Sequence, residues 1–242
     1  MKNILSVQNE QIKNIVKLHT SKGRKEQEQF LAEGQRALES FANAKWQPAN
    51  LFATKKMAEI AYGIFDEEPI VVSEQVMKKM STATTPSGIL AVFSHPQTTA
   101  QLTSGLVLSE ISDPGNMGAL IRSAIAFGSK SIVIVDGCDP YSPKVIQSSA
   151  GVIAQANIIR WSWKKLIENK GDFKLCALVV SGGKAPDKIN KNDLLLVVGN
   201  EAHGLLETQI SDCDSQLTLP ISKNTESLNA AIAGSIALYL LK

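Results

Sequence analysis

Two strand-to-loop corners in the last quarter of the chain carry polar groups close together in sequence. The apolar run at 194–198 ends in Gly199-Asn200-Glu201 and turns at Gly204. A second short apolar run ends at Leu219-Pro220, crosses a polar loop and enters a helix at Ser227-Leu228-Asn229. Such corners are suited to holding a ligand, because open α/β sheets bind beyond the carboxyl ends of their strands. A third corner, Asp113-Pro114-Gly115-Asn116, has turn chemistry and precedes a helix that bears Arg122. An arginine over the mouth of a sheet can clamp an anion through its planar fork of donors. The plainer reading makes Arg122 a solvated helix residue and Asn116 an N-cap.

Other reactive side chains are less well placed. His203 follows Glu201 closely and invites a general-base role. His19 and His95 have no evident partner in the sequence. The glycines and lysine of SGGKAP (181–186) lack P-loop spacing, which argues against nucleoside triphosphate hydrolysis. Cys138, Cys176 and Cys213 are far apart and form no C-x-x-C or Cys/His cluster, so neither a metal nor a disulfide framework is expected. A reducing cytoplasm is the simplest setting. Lys22, Arg24 and Lys25 cluster after the first helix, as a solvated face or as a contact to nucleic acid.

These residues must be positioned by an ordinary globular chain. It has 242 residues, 44% hydrophobic and 20% charged, with a formal net charge of +2, which does not decide its partner. No apolar run approaches the roughly 20 residues of a membrane span, and the N-terminus has no long apolar segment of a secretory signal. Residues 1–95 mix helical and strand patterns. Ile12, Ile15, Val16 and His19 fall at helical spacing, with a stop near Ser21-Lys22-Gly23. Strands are expected at 29–33, 50–53, 69–72 and 89–93, and a helix at 34–41. The polar stretch 96–105 reads as a linker. From 106 to 242 strands at 106–111, 131–136, 174–180, 194–199 and 216–219 alternate with helices, the signature of a parallel sheet covered on both faces. The last helix, 227–241, carries apolar residues on more than one side and so needs more than one covering surface.

DPGNMGALIRSAIAFG (113–128), VVGNEAHGL (197–205) and LPISKNTESLNAAIA (219–233) resemble, in order and spacing, the three motifs of the SpoU/TrmH family of RNA ribose 2′-O-methyltransferases. CDPYSPKVIQSSAG (138–151) is similar to the segment that follows the first motif. KGRKEQEQFLAEGQRALE (22–39) and TTPSGILAVF (84–93) resemble the small substrate-binding domain, ribosomal-protein-like in fold, that many members carry.

The resemblance implies an α/β protein: a C-terminal parallel-sheet SPOUT domain with a trefoil knot, preceded by a small α/β RNA-binding domain. A knot could not be proposed from physical rules alone. It implies S-adenosyl-L-methionine as cofactor, held at Gly199, Leu219, Ile221 and Leu228, with Leu219 and Leu228 able to sandwich adenine and Gly199 allowing close approach of backbone to ligand. It makes Arg122 the catalytic arginine. An arginine stays protonated, so a phosphate clamp that also stabilises alkoxide charge fits better than a base. Asn116, Glu201, Ser227 and Asn229 take the remaining polar positions, shaping the site and orienting ribose and cofactor. The local reading makes Ser227 a helix cap and Asn229 a first-turn hydrogen-bonding residue. The sulfonium is already activated, so no metal is needed. The implied partners are RNA, ribosomal rather than transfer RNA, and a second copy in a homodimer with no membrane. Lys223 stands where the third motif often has glycine. A transfer-RNA methyltransferase and a non-catalytic RNA-binding protein of the same fold are the alternatives. A dinucleotide-dependent oxidoreductase lacks its G-x-G-x-x-G at a first strand.

Overall fold

The structure, a computed structural model, describes residues 3–96, 101–222, 224 and 226–242. Part of the expected linker 96–105, and Lys223, lie outside the described residues. The elements run β1 (Asn3–Ile4), α1 (Glu10–Lys17), α2 (Ser21–Gln27), β2 (Gln29–Glu33), α3 (Gln35–Asn43), β3 (Asn50–Thr54), α4 (Ala58–Phe65), β4 (Ile70–Val72), α5 (Glu74–Met80) and β5 (Ile89–Ser94). They continue with β6 (Gly105–Ser109), α6 (Pro114–Ala126), β7 (Ser131–Val135), α7 (Pro143–Ser148), β8 (Asn157–Arg160), α8 (Trp163–Asn169), β9 (Lys174–Leu178), β10 (Leu194–Val198), α9 (Glu207–Ser211), β11 (Ser215–Leu217) and α10 (Ala230–Leu241). Contacts divide the chain into two units, Met1–Gln97 with Asp139–Gln155, and Thr98–Cys138 with Ala156–Lys242.

The first unit holds a mixed sheet in the order β1-β4-β3-β5-β2, with β5 antiparallel to both of its neighbours. The expected single helical stretch ending near Gly23 is two helices. α1 ends at Lys17, and Thr20 starts α2 by accepting a hydrogen bond from the Gly23 N–H. Gly23 is fixed by packing, since a Cβ there would lie 2.0 Å from the Lys17 carbonyl oxygen. The cluster at 22–25 splits. Lys22 and Lys25 are exposed, but Arg24 is only 3% exposed. Its guanidinium donates to Asp139 Oδ2 at 2.8 Å and to the carbonyls of Leu18 and His19. An RNA contact by Arg24 is therefore ruled out by burial and pairing. His19 and His95 are also engaged, His19 Nε2 lying 2.8 Å from the Met80 carbonyl and His95 packing against Phe30 and Tyr141.

Residues 139–155, which the motif pattern places with the second domain, fold onto the first unit. Beside the Arg24–Asp139 pair, Trp46 Nε1 donates to the Ala154 carbonyl at 3.0 Å, and the Tyr141 ring lies tilted against that of Phe30, centroids 4.7 Å apart. Gly151 has φ +76°, and a Cβ there would strike the Ala37 backbone at 2.6 Å, so α3 can approach only a glycine.

The second unit is a six-stranded sheet, all parallel, in the order β11-β9-β10-β6-β7-β8. Its strands are continuous apolar runs because both faces are buried, as at Val107, Val133, Leu195 and Val197. The expected strands are present with ends shifted by no more than two residues, and β8, too short to stand out between polar neighbours, adds a sixth. The chain leaves β6 toward β7 and β8, then returns on the other side of β6 with β10. The topological switch point therefore lies between β6 and β10, and a crevice forms beyond their carboxyl ends. The last helix begins at Ala230, not Ser227, because Asn229 is its N-cap, accepting from the N–H groups of Ala231 and Ile232.

Candidate active site

At the switch point a single carboxylate gathers two loops. The Glu201 side chain, just past β10, accepts from the Ser112 N–H and hydroxyl, the Asp113 N–H and the Asn116 side-chain amide, all at 3.0–3.1 Å. The loop after β6 is thereby tied to the loop after β10. Asp113, not Asn116, caps α6, accepting from the Asn116 N–H at 2.8 Å. Asn116 is left free to act with its side chain. Its amide nitrogen serves Glu201, and its oxygen accepts from Asn229 Nδ2 at 3.0 Å. Asn229 in turn caps α10. Glu201, Asn116 and Asn229 thus form one chain of hydrogen bonds linking all three motifs, in which every member is paired.

Burial pushes the Glu201 carboxyl up, but the donors from Asn116, Asp113 and Ser112 outweigh it and hold it at about 2. A depressed carboxyl stabilises the fold above its unfolded pKa, and that contribution fades as pH falls through the folded value. The melting temperature should therefore carry a Glu201 component that is complete above pH 5 and is lost between about 4.5 and 2. Glu201→Gln should melt about 2–4 °C lower at neutral pH, a modest loss because solvent reaches the group, and should lack this acid-limb component. Scanning calorimetry from pH 7 to pH 2.5 reads both; a variant with the parent's melting temperature and acid limb would contradict the assignment.

Beside this network lies an open cleft of about 310 Å³, at the lower end of ordinary ligand pockets. All four proposed cofactor positions, Gly199, Leu219, Ile221 and Leu228, line it, together with Glu201 and Ser227. Leu219 is nearly buried, whereas Ile221 and Leu228 are partly open and can present apolar surface to a ligand. Gly199 is required for a reason other than ligand approach. A Cβ there would lie 2.5 Å from the Gly204–Leu205 peptide, against which the 200–204 turn closes through paired Asn200 and Gly204 backbone bonds.

The site also includes residues not singled out in the sequence. Leu178, Val179 and Val180 bring the end of β9 to the cleft, as the sheet order demands, and Asn200 ties the turn to β6 by donating to the Glu110 carbonyl at 2.8 Å. Ala230 and Ala233 contribute the first turn of α10. His203 lines the cleft, with Nε2 3.8 Å from Glu110, which places it beside the ligand space. The Ser181–Pro186 glycines are structural: the Gly183 N–H donates to Thr218 Oγ1 at 2.9 Å, and Lys184 exchanges backbone bonds with residues 216 and 218. Arg122 is not brought to the cleft of the same chain. It is exposed on α6, six residues past Asn116 and so roughly 240° around the helix from it.

Comparisons with known proteins bear on the family and the fold. Residues 104–239 match the SpoU rRNA Methylase family model, and residues 9–91 match that of the MRM3-like substrate binding domain. The chain belongs to the SpoU rRNA methylase family. It is 33% identical over 261 residues to an uncharacterised tRNA/rRNA methyltransferase of Synechocystis, covering 98% of this chain and 92% of that protein. It is 28% identical to the 23S rRNA (guanosine(2553)-2′-O)-methyltransferase RlmP of Bacillus subtilis over the whole length of both. Among solved structures it is similar to an RNA 2′-O ribose methyltransferase, with a TM-score of 0.83, 26% identity, and 99% and 97% of the two chains covered. Among the described residues no helix is long and apolar enough to cross a membrane.

Proposed function

We propose that the protein transfers a methyl group from S-adenosylmethionine to a ribose 2′-hydroxyl of ribosomal RNA. The observation that carries this reading is the convergence of Gly199, Leu219, Ile221 and Leu228 on one cleft whose lip is the Glu201–Asn116–Asn229 network. The residues fit the cofactor: apolar Leu219 and Leu228 suit the flat adenine, and the polar turn at 200–203 suits its charged end. When bound, the cofactor supplies a methyl group on a sulfonium, already activated without metal. Glu201, Asn116 and Asn229 hold the three loops rigid, which keeps hydroxyl and methyl at near-contact distance. Ser227 lies exposed at the cleft, placed to orient the ribose. The reading includes the trefoil knot and the cytoplasmic setting that the resemblance implies. Calorimetry with S-adenosylmethionine in the presence of a chelator tests it. Saturable binding is expected, and no heat at millimolar cofactor would remove the enzyme reading.

Arg122 enters the same reading through a second copy of the chain. α10 leaves Ile232, Ile236 and Tyr239 exposed at helical spacing, Ile232 by 53% and Tyr239 by 63%. α6 packs beside it, with Ser123 hydrogen-bonded to Ser235 and Phe127 against Tyr239. Arg122 and Ala126 share an exposed face of α6 next to this apolar stripe. A two-fold dimer that covers the stripe carries Arg122 toward the partner's cleft, where it clamps an RNA phosphate and steadies the charge developing on the ribose oxygen. The protein should scatter light as a dimer at micromolar concentration. Ile236→Asp should make it monomeric by placing an unpaired charge in the interface. A parent protein that is monomeric would overturn this arrangement.

A further inference from the structure

Methylation of a ribose hydroxyl releases a proton, which a group at the cleft must accept. Arg122 stays protonated, and amide side chains such as those of Asn116 and Asn229 accept no proton. Among the described residues that line the cleft, two side chains can serve as bases, Glu201 and His203. Glu201 is already committed. Its carboxylate takes four donors, from Ser112, Asp113 and Asn116, and is held at about 2, which makes it a weak base. That leaves the imidazole.

His203 sits in the turn closed by Asn200 and Gly204, and its side chain is 56% exposed, open enough to pass a proton on to water. Its Nε2 lies 3.8 Å from Oε2 of Glu110, within ion-pair reach once the ring is charged. Glu110 directly follows β6 and has a left-handed backbone, φ +57°, which a glutamate rarely adopts. That backbone is held on both sides. Its N–H donates to the Val135 carbonyl at 2.8 Å, and its carbonyl accepts from the Asn200 side chain at 2.8 Å. Unfavourable backbone fixed in this way clusters at functional sites. Here it brings a carboxylate from the β6 corner to an imidazole from the β10 corner. With its hydrogen on Nε2, toward the carboxylate, the ring keeps a lone pair on Nδ1.

We infer that His203 is the proton acceptor of the reaction and that Glu110 is the residue that positions it. The inference rests on the methyl-transfer reading, to which it adds the base. As the ribose 2′-oxygen bonds to the methyl carbon, the carbon–sulfur bond breaks and the hydroxyl proton passes to Nδ1 of His203. The positive charge that sulfur loses reappears on the imidazolium, where the Glu110 carboxylate is close enough to balance it. The ring then gives the proton to water through its open side. A carboxylate that orients an imidazole and steadies its charged form is the general arrangement by which histidine serves as a base. Arg122 and His203 thereby have separate tasks: the first holds phosphate and steadies charge on oxygen, and the second takes the proton.

The test is single-turnover methylation of ribosomal RNA by the full-length protein at saturating S-adenosylmethionine, beside calorimetric titration of cofactor and RNA. His203→Ala should lower the rate by about 10²–10⁴ and leave both affinities unchanged. Millimolar free imidazole should restore the variant's rate by about tenfold, a partial rescue because the added base is not held in place. Glu110→Gln should slow the parent protein by about tenfold and have no further effect in His203→Ala, since it acts through the ring. A readout free of turnover is carbethoxylation of His203 by diethyl pyrocarbonate, followed by mass spectrometry with S-adenosylhomocysteine present. Bound RNA should shield the ring; equal reactivity with and without RNA would overturn the inference. So would a rate loss that imidazole leaves untouched and that adds to the loss from Glu110→Gln. His203→Ala at the parental rate would overturn it too, and a fall in cofactor affinity in that variant would assign the ring to the cofactor's charged end instead. An active parent with an equally active His203→Ala removes the base alone, whereas a parent that binds cofactor and RNA but methylates nothing removes the methyl-transfer reading with it.

Discussion

Replacing Arg122 with alanine is expected to lower the rate of RNA methylation by about 10²–10⁴ while leaving S-adenosylmethionine affinity unchanged. That is the usual scale for removing a group that stabilises charge or assists proton transfer in the transition state. The separation of the two parameters follows from the geometry: Arg122 stands on an exposed face of α6, away from the cleft of its own chain. Arg122→Lys should recover little, because a point charge cannot reproduce a planar fork that holds two oxygens at once. A sharper consequence comes from mixing. Heterodimers of Arg122→Ala chains with chains impaired in the cofactor cleft should recover one working site, since each then lends what the other lacks. Single-turnover methylation reads the rate. A variant that methylates at the parental rate would reduce Arg122 to a surface residue of its helix.

Leu228→Asp should act in the opposite order, raising the cofactor dissociation constant by about 10- to 100-fold before any effect on the chemical step. Leu228 lies just ahead of the α10 cap, partly open to the cleft, where an aspartate would set an unpaired charge against an apolar ring. Saturating cofactor should restore most of the rate. Its neighbour Asn229 must be left in place, because it both caps α10 and bonds Asn116. A Leu228→Asp protein with parental cofactor affinity would move the ligand elsewhere.

The individual corners could be read from the sequence more fully than the arrangement that joins them. Polar corners at 113–116, 199–201 and 227–229 could be picked out because strand ends and turn residues are local signals. That they meet depends on strand order, which no local pattern contains. β10 could be recognised as a strand, but its insertion between β9 and β6 is what brings Glu201 to the loop of Asp113 and Asn116. The same limit hid the contribution of Leu178–Val180, visible only once β9 is known to border β10. The assignment of Asn116 as a cap failed for a local reason: the helix starts earlier, at Pro114, with Asp113 as its cap accepting from the Asn116 N–H. Arg24 illustrates the reverse error. Two flanking lysines made it look like part of a solvated basic patch, whereas its partner, Asp139, is 115 residues away in sequence. The excursion of residues 139–155 is likewise set by pairings, Trp46 with Ala154 and Gly151 with Ala37, that are non-local in the chain.

The central claim is methyl transfer to a ribose 2′-hydroxyl, and one measurement addresses it directly. Purified protein is incubated with methyl-tritiated S-adenosylmethionine and ribosomal RNA from cells lacking the gene, and the RNA is then hydrolysed with alkali. Methylation of a 2′-hydroxyl blocks cleavage of the adjoining phosphodiester, so the label should appear in alkali-resistant dinucleotides and should fall sharply with Arg122→Ala. Label recovered only in mononucleotides, as base methylation would give, or no transfer by a protein that binds the cofactor, would contradict the account.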